Sequence, residues 1–207
     1  LAVLADAVEH PLPGATCLGI HLEGPFISQK EGFVGAHHPD GVSPPDPSIL
    51  ETLWQRSRGT IRIMTLAAEL EGALAVVTLA RKLGITVSVG HSDCTDSDLE
   101  TVATAGATAI THLGNALPNR LPRHDNPIWA GLANDDLTAM IIGDGFHLPD
   151  SVLKVILRVK GLENTILVSD VAPIAGLPAG EYEFAGSQVV LEDTGRILNP
   201  DRKCLAG

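Results

Sequence analysis

Short apolar segments alternate along the chain with segments that carry apolar residues at helical spacing. Six apolar segments of strand length predict β-strands. In chain order their sequences are TCLGIHLE, IRIMTLA, ITVSVG, ATAIT, LTAMIIG and NTILVS. Apolar residues recur at helical spacing from Glu69 to Leu83, and Gly84 is expected to end that helix. Further helices are predicted over SILETLWQRSR, from Thr95 onwards, and from Pro149 through Val159.

This alternation predicts an α/β protein whose parallel strands are joined by right-handed crossovers. The apolar sequences AMII and TILV fit strands that are buried on both faces of a sheet. An open doubly wound sheet and a (β/α) barrel of the TIM type both satisfy the pattern. No glycine-rich phosphate loop follows a strand, which disfavours the nucleotide-binding versions of the open sheet. We therefore favour a TIM-like barrel, incomplete with about six β/α units.

After Gly176 the pattern changes to short strand-like segments with turn residues between them. These segments are EYEFAG, SQVVLED and GRILN. The predicted organisation is a partial barrel catalytic domain over residues 1–177, followed by a short β-strand segment over residues 178–207.

Composition narrows the function. The net charge of −11 argues against nucleic-acid binding, which requires clustered Lys and Arg. No apolar run approaches the length of a membrane span, and the first residues lack the basic-then-apolar pattern expected of a signal segment. Cys17, Cys94 and Cys204 lack CxxC spacing and are typical of reduced packing residues, which predicts a cytoplasmic protein. The chain begins without Met and ends abruptly, so we expect a fragment of a longer protein.

Five of the six predicted strands end in His, Asp or Glu. The residues concerned are Glu23, His91, His112, the Asp144–His147 segment and Asp170. In a parallel barrel these ends converge on one face, where barrel enzymes have their active sites. A Glu and two His suit zinc or another divalent metal with a position left open for water. A carboxylate at Asp170 is then suited to proton transfer.

Each of these residues also has a simpler interpretation. A single strand-end His is more often structural than a ligand, and Glu23 or Asp170 alone fits a loop cap. Arg120 and Arg123 are either solvated charges or, beside Asn115, an anion clamp. His37 and His38 either reach the barrel mouth or are solvated, and their spacing does not decide between the two. His10 is interpreted as a surface residue and Cys94 as a packing residue.

Seven motifs resemble the N-acetylglucosamine-6-phosphate deacetylase family of the amidohydrolase superfamily. In the family's order they are GIHLEGPFIS, GAHHP, TLAAE, GHSD, THLGNALP, DGFH and LVSDVAPIAG. The resemblance implies that Glu23, His91 and His112 bind one catalytic divalent metal, zinc in the first place, with iron or another divalent ion as alternatives. It implies further that metal-bound hydroxide attacks the N-acetyl carbonyl and that Asp170 is the general acid/base.

The same resemblance implies the substrate contacts and the partner. His37 and His147 match substrate-binding histidines, while Asn115, the backbone of Ala116, and Arg123 match phosphate-binding positions. The substrate is then a small amino sugar phosphate, and the protein forms homodimers. The family's first two barrel strands have no counterpart in this chain, so the existence of a second metal is left open.

Two alternatives to this function stay open. The same metal site suits another amidohydrolase reaction, such as hydrolysis of a cyclic amide or an aminopurine. The chain is otherwise an inactive barrel fragment that keeps the residues of the rim without a complete barrel.

Overall fold

The computed structural model describes residues 1–11, 13–184, 186–200 and 205. Six parallel strands form one sheet, in which each strand pairs with its neighbours in the sequence. The strands are β1 (Ile20–Glu23), β2 (Ile61–Leu66), β3 (Thr86–Val89), β4 (Ala107–Ile110), β5 (Thr138–Ile142) and β6 (Thr165–Val168). All six lie inside the segments predicted from the apolar pattern.

The strand order distinguishes the two predicted architectures. A doubly wound sheet reverses its strand order at a switch point, whereas the order here runs from β1 to β6 without reversal. The sheet is a curled half-barrel, which confirms the prediction of a partial TIM-like barrel. All six carboxyl ends therefore lie along one rim.

The described part of the chain contains six α-helices and one short 3₁₀ helix; the first α-helix precedes β1, and the other helices connect consecutive strands. The α-helices are α1 (Ala2–Glu9), α2 (Pro47–Arg56), α3 (Ala73–Lys82), α4 (Asp96–Ala105), α5 (Pro127–Ala133) and α6 (Asp150–Lys160), and the 3₁₀ helix is Pro39–Gly41. The predicted start of α3 at Glu69 is wrong, because Gly72 has a left-handed backbone and the helix begins only at Ala73. Neither α1 nor α5 was predicted.

The two faces of the sheet differ in chemistry. On the outer face, Met64, Val87 and Val89 pack with residues of the helices in the main hydrophobic core. On the inner face, Thr65 and Ser88 are fully buried although they are polar. The inner face therefore carries hydrogen-bonding side chains toward the rim, while the outer face supplies the apolar packing.

The last strand departs from the expectation for its sequence. TILV was expected to be buried on both faces, but Ile166 is 49% exposed and Leu167 is 72% exposed. β6 is an edge strand of the open half-barrel, and no helix of the described residues follows it to cover its outer face, in contrast to β1 to β5.

A separate antiparallel sheet follows the half-barrel. It contains β7 (Gly180–Phe184), β8 (Ser187–Leu191) and β9 (Ile197–Leu198), as the short strand-like segments predicted. Its own small apolar cluster includes Val189, Leu191 and Ile197. The domain boundary at residue 177 stays a prediction, and Cys204 lies outside the described residues. No helix within the described part of the chain is long and apolar enough to cross a membrane.

Candidate metal centre and active site

Three strand ends bring a carboxylate and two imidazoles together at the rim. Glu23 closes β1, His91 follows β3, and His112 follows β4. The Glu23 Oε1 atom lies 3.0 Å from His112 Nε2 and 3.3 Å from His91 Nε2. The two Nε2 atoms are 3.1 Å apart. Residues separated by up to 89 positions in the chain thus point one atom each at a common centre.

The spacing of these atoms fits a divalent cation. In a tetrahedral site with ligand bonds near 2 Å, neighbouring ligand atoms are about 3.3 Å apart. The three distances, 3.0, 3.1 and 3.3 Å, form a triangle close to this size. Two imidazole nitrogens and one carboxylate oxygen are also the donor types that zinc and similar metals take.

The orientation of His91 leaves one ring nitrogen free for such a cation. Its Nδ1 lies 2.8 Å from the carbonyl oxygen of Phe33. Because a carbonyl only accepts hydrogen bonds, Nδ1 carries the proton and the lone pair of Nε2 faces Glu23 and His112. The loop that follows β1 therefore fixes the tautomer of a residue at the end of β3.

The backbone is strained at three residues that follow strands of the half-barrel. His91, His112 and Asp170 have φ values of 51°, 33° and 48°, in the left-handed region that non-glycine residues rarely adopt. The buried Nδ1 of His112 has no hydrogen-bond partner among the described residues. Strained backbone and an orphaned polar atom are typical of functional sites, where other interactions hold them in place.

Electrostatics favour the charged carboxylate. Burial alone raises the pKa of Glu23, but hydrogen bonds from His112, His37 and His91 outweigh burial and lower that pKa well below its ordinary value. Burial lowers the pKa of His112, yet the hydrogen bond to Glu23 and the charges of Glu23 and Asp170 make the net shift upward. The centre therefore carries the negative charge that a cation requires.

His37 lies beside the triad on the second oxygen of Glu23. Its Nε2 is 3.5 Å from Glu23 Oε2, and its ring meets the His91 ring edge to face with centroids 4.6 Å apart. His38 is largely exposed and faces Asp40 instead. Of the two histidines that spacing left undecided, His37 is the one that reaches the mouth.

Asp170 and His147 line one cleft along the rim. The cleft has a volume of about 430 Å³ and includes Phe146 and Ser169 in its wall. The charge of Asp170 also contributes to the upward shift of the His112 pKa. His147 bonds through Nδ1 to Asp144 Oδ2 at 2.7 Å.

The predicted phosphate residues lie on the segment after β4. Asn115 donates from Nδ2 to the carbonyl of His112 at 3.2 Å, and Ala116 has a left-handed φ of 51°. Arg123 is exposed, and its side chain forms no hydrogen bond or ion pair with the described residues. Their phosphate contacts stay a prediction.

Sequence reasoning missed Glu69, which supports His91. It lies three residues after β2, and its Oε2 accepts a 2.5 Å hydrogen bond from Ser92 Oγ while Oε1 accepts from the Asp93 N–H at 2.9 Å. The missed signal was its position, since β2 was the one strand without an assigned acidic or histidine residue at its end. All six strands in fact deliver such a residue to the rim.

A chain of buried hydroxyls beneath the triad was also missed. Thr65 Oγ1 lies 2.7 Å from both His21 Nε2 and Thr111 Oγ1, and Thr111 donates to Ser88 at 2.6 Å. Partial desolvation of the His21 ring lowers its pKa, although the charges of Glu23 and Asp170 oppose that shift. The signal was a polar residue in each of the first three strands and one directly after the fourth.

Several known proteins are similar in sequence to this chain. No family model matches the chain. The N-acetylglucosamine-6-phosphate deacetylase of Bacillus subtilis strain 168 is 35% identical over 193 residues, which are 93% of this chain and 48% of that protein. The chain is a homologue of N-acetylglucosamine-6-phosphate deacetylases. It spans about half the length of the curated relatives it matches.

A second relative has a different sugar in its name. The N-acetylgalactosamine-6-phosphate deacetylase of Escherichia coli O157:H7 is 30% identical over 204 residues, or 99% of this chain and 53% of that protein. The deacetylase homology thus extends to relatives named for either hexosamine.

A solved structure supports the same relationship. A mutant N-acetyl-D-glucosamine-6-phosphate deacetylase from Mycobacterium smegmatis, in complex with N-acetyl-D-glucosamine-6-phosphate, matches with a TM-score of 0.89 and 29% identity. The match covers 100% of this chain and 52% of that one. The half-barrel is therefore the fold of roughly half of such an enzyme.

Proposed function

We propose that this chain forms the metal-binding part of a hydrolase that removes the acetyl group from an N-acetylated hexosamine 6-phosphate. The convergence of Glu23, His91 and His112 on one centre carries the proposal, because this donor set suits a hydrolytic metal. The names of the relatives supply the substrate class.

The triad would hold one divalent cation, and we propose zinc. When bound, the cation supplies Lewis-acid chemistry that polarises the amide carbonyl and makes a water molecule more acidic. The triad side chains fix where the reacting amide lies. His91 and His112 are almost fully buried, which keeps bulk water from competing for their nitrogens.

Asp170 is the proposed proton carrier. It accepts a proton from the attacking water as the new C–O bond forms, and it donates that proton to the amide nitrogen as the C–N bond breaks. The products are acetate and the free amino sugar phosphate. A carboxylate at this position satisfies the role without being a metal ligand.

The remaining residues bind the substrate. His37, beside the triad, is placed to contact the acetamido group, and His147 faces the sugar across the cleft it shares with Asp170. Asn115, the Ala116 N–H and Arg123 are proposed to bind the phosphate, which guanidinium and main-chain N–H groups suit. The homodimer and the cytoplasmic location also stay predictions.

Acetate release tests the proposal. Zinc-loaded protein is incubated with N-acetylglucosamine 6-phosphate, N-acetylgalactosamine 6-phosphate and unphosphorylated N-acetylglucosamine, and free acetate is assayed. We expect acetate from at least one phosphorylated sugar and much less from the unphosphorylated one, because the phosphate contacts are lost.

The variant Asp170→Asn is the internal control for mechanism. It should keep the metal content of the wild type and lose most turnover, because the side-chain amide of Asn neither accepts nor releases a proton at neutral pH. Loss of metal from this variant would refute the role of Asp170. Metal-loaded protein that releases acetate from neither sugar phosphate would overturn the proposed function.

A further inference from the structure

The turn after β5 is organised around a single carboxylate. Asp144 Oδ1 accepts hydrogen bonds from the backbone N–H groups of Phe146 at 2.8 Å and His147 at 3.0 Å. Its Oδ2 lies 2.7 Å from His147 Nδ1. Asp144 therefore holds both the backbone of the turn and the ring of His147.

The charge of Asp144 determines which nitrogen of His147 carries a proton. Burial opposes ionisation, but the N–H groups of His147 and Phe146 and the His147 ring outweigh it and lower the pKa of Asp144. An ionised carboxylate only accepts hydrogen bonds, so Nδ1 must be the protonated nitrogen in this contact. In the neutral ring, Nε2 is then an acceptor.

The Nε2 atom of His147 is available to a ligand in the cleft. His147 Nε2 has no hydrogen-bond partner among the described residues, and the ring lines the cleft that also contains Asp170. A neutral Nε2 acceptor is complementary to a hydroxyl donor, and hydroxyls are the most abundant donors of a sugar.

We propose that Asp144 is a positioning residue that fixes His147 as the Nδ1–H tautomer, so that Nε2 accepts a hydrogen bond from a sugar hydroxyl. The sugar part of this inference rests on the proposed function, whereas the tautomer does not. Without Asp144 the ring would be free to present a donor, which the hydroxyl would meet less favourably.

The substitution Asp144→Asn isolates the tautomer from the turn. The amide oxygen continues to accept from the two backbone N–H groups, which holds its NH₂ group toward His147 Nδ1. A donor at that place requires Nδ1 to be the acceptor, so the proton moves to Nε2. The turn is kept while the polarity of the ring is reversed, as when the orienting carboxylate of a catalytic triad is replaced by an amide.

The experiment measures ¹⁵N chemical shifts of the His147 ring in the ligand-free protein, at a pH where the ring is neutral, with the signal assigned from His147→Gln. We expect the proton on Nδ1 in the wild type and on Nε2 in Asp144→Asn. In steady-state kinetics with the sugar phosphate, KM should rise by up to about tenfold while kcat changes less.

A matched control is the exposed pair of His38 and Asp40, whose atoms are 3.7 Å apart. Asp40→Asn should change neither the His147 shifts nor KM. A wild-type ring protonated on Nε2 would overturn the proposal even if Asp144→Asn failed to fold, and an unchanged tautomer in a folded Asp144→Asn would do the same. A reversed tautomer with unchanged KM would refute the sugar contact, whereas absence of acetate release from the wild type would count against the proposed function alone.

Discussion

His91 shows how much of a metal ligand lies outside its own sequence neighbourhood. Its place at a strand end followed from the apolar pattern of β3, which is local in the chain. Its ring orientation depends on the Phe33 carbonyl, 58 residues away, and its turn depends on Glu69, 24 residues from Asp93. The sequence could therefore predict which residues face the rim, but not the partners that aim them, because those contacts exist only after the strands pair.

Replacing Glu69 tests this dependence. Glu69→Ala leaves the Ser92 hydroxyl and the Asp93 N–H without their acceptor, so the turn that carries His91 should shift. We expect the zinc Kd to rise by about 10- to 100-fold, as for other residues that orient metal ligands. Isothermal titration calorimetry on the metal-free protein measures it directly.

Glu71 is an exposed residue in the turn that contains Glu69. The control is Glu71→Ala, which should leave the zinc Kd unchanged. Glu69→Gln keeps an oxygen acceptor for Asp93 and should recover part of the affinity. Equal zinc affinity in Glu69→Ala and the wild type would contradict a positioning role for Glu69.

At the scale of elements, the apolar strands were predictable, whereas the two short helices α1 and α5 were not, and α5 shows why. The segment before α5 is polar and carries Arg123, so its pattern indicated a loop. The missed signal is Asn126 followed by Pro127, an N-cap residue followed by proline at the first helical position. A helix of seven residues has too few turns for periodicity to reveal it, and the capping residues carry the information instead.

The cap of α5 should also fix the loop that bears Arg123. Asn126 Oδ1 accepts from the N–H groups of Ile128 and Trp129, and its Nδ2 donates to the Pro122 carbonyl at 2.7 Å. Because Asn126 is buried, Asn126→Ala should lower the free energy of unfolding by about 1–2 kcal/mol. Urea unfolding followed by circular dichroism measures this change, and the exposed Asn119→Ala should stay within about 0.5 kcal/mol of the wild type. Equal losses in the two variants would show that the cap does not stabilise the protein.

For the whole molecule, pairing of sequential strands was predictable and the openness of the barrel was only partly so. The repeated β/α pattern predicts parallel neighbours, and no reversal of order intervenes. The apolar sequence of β6 suggested burial, yet burial depends on what lies across the strand and not on the strand itself. Leu167 lies beside the buried Ile141 of β5, but it is exposed because no helix of the described residues follows β6 to cover that face.

A cation at the triad should act on the stability of the whole half-barrel. Its ligands come from β1, β3 and β4, so binding joins strands that are distant in the chain and are joined in this way only when the protein is folded. Zinc at about 100 times its Kd should therefore raise the free energy of unfolding by about 2.7 kcal/mol. The increase should shrink below neutral pH, because His91 and His112 must be deprotonated to bind metal.

Urea unfolding with and without zinc measures the effect, which His38→Ala should retain and the double variant His91→Ala/His112→Ala should lose. An equal increase in the double variant would mean that zinc stabilises the protein from another site, and the triad would no longer be the metal centre.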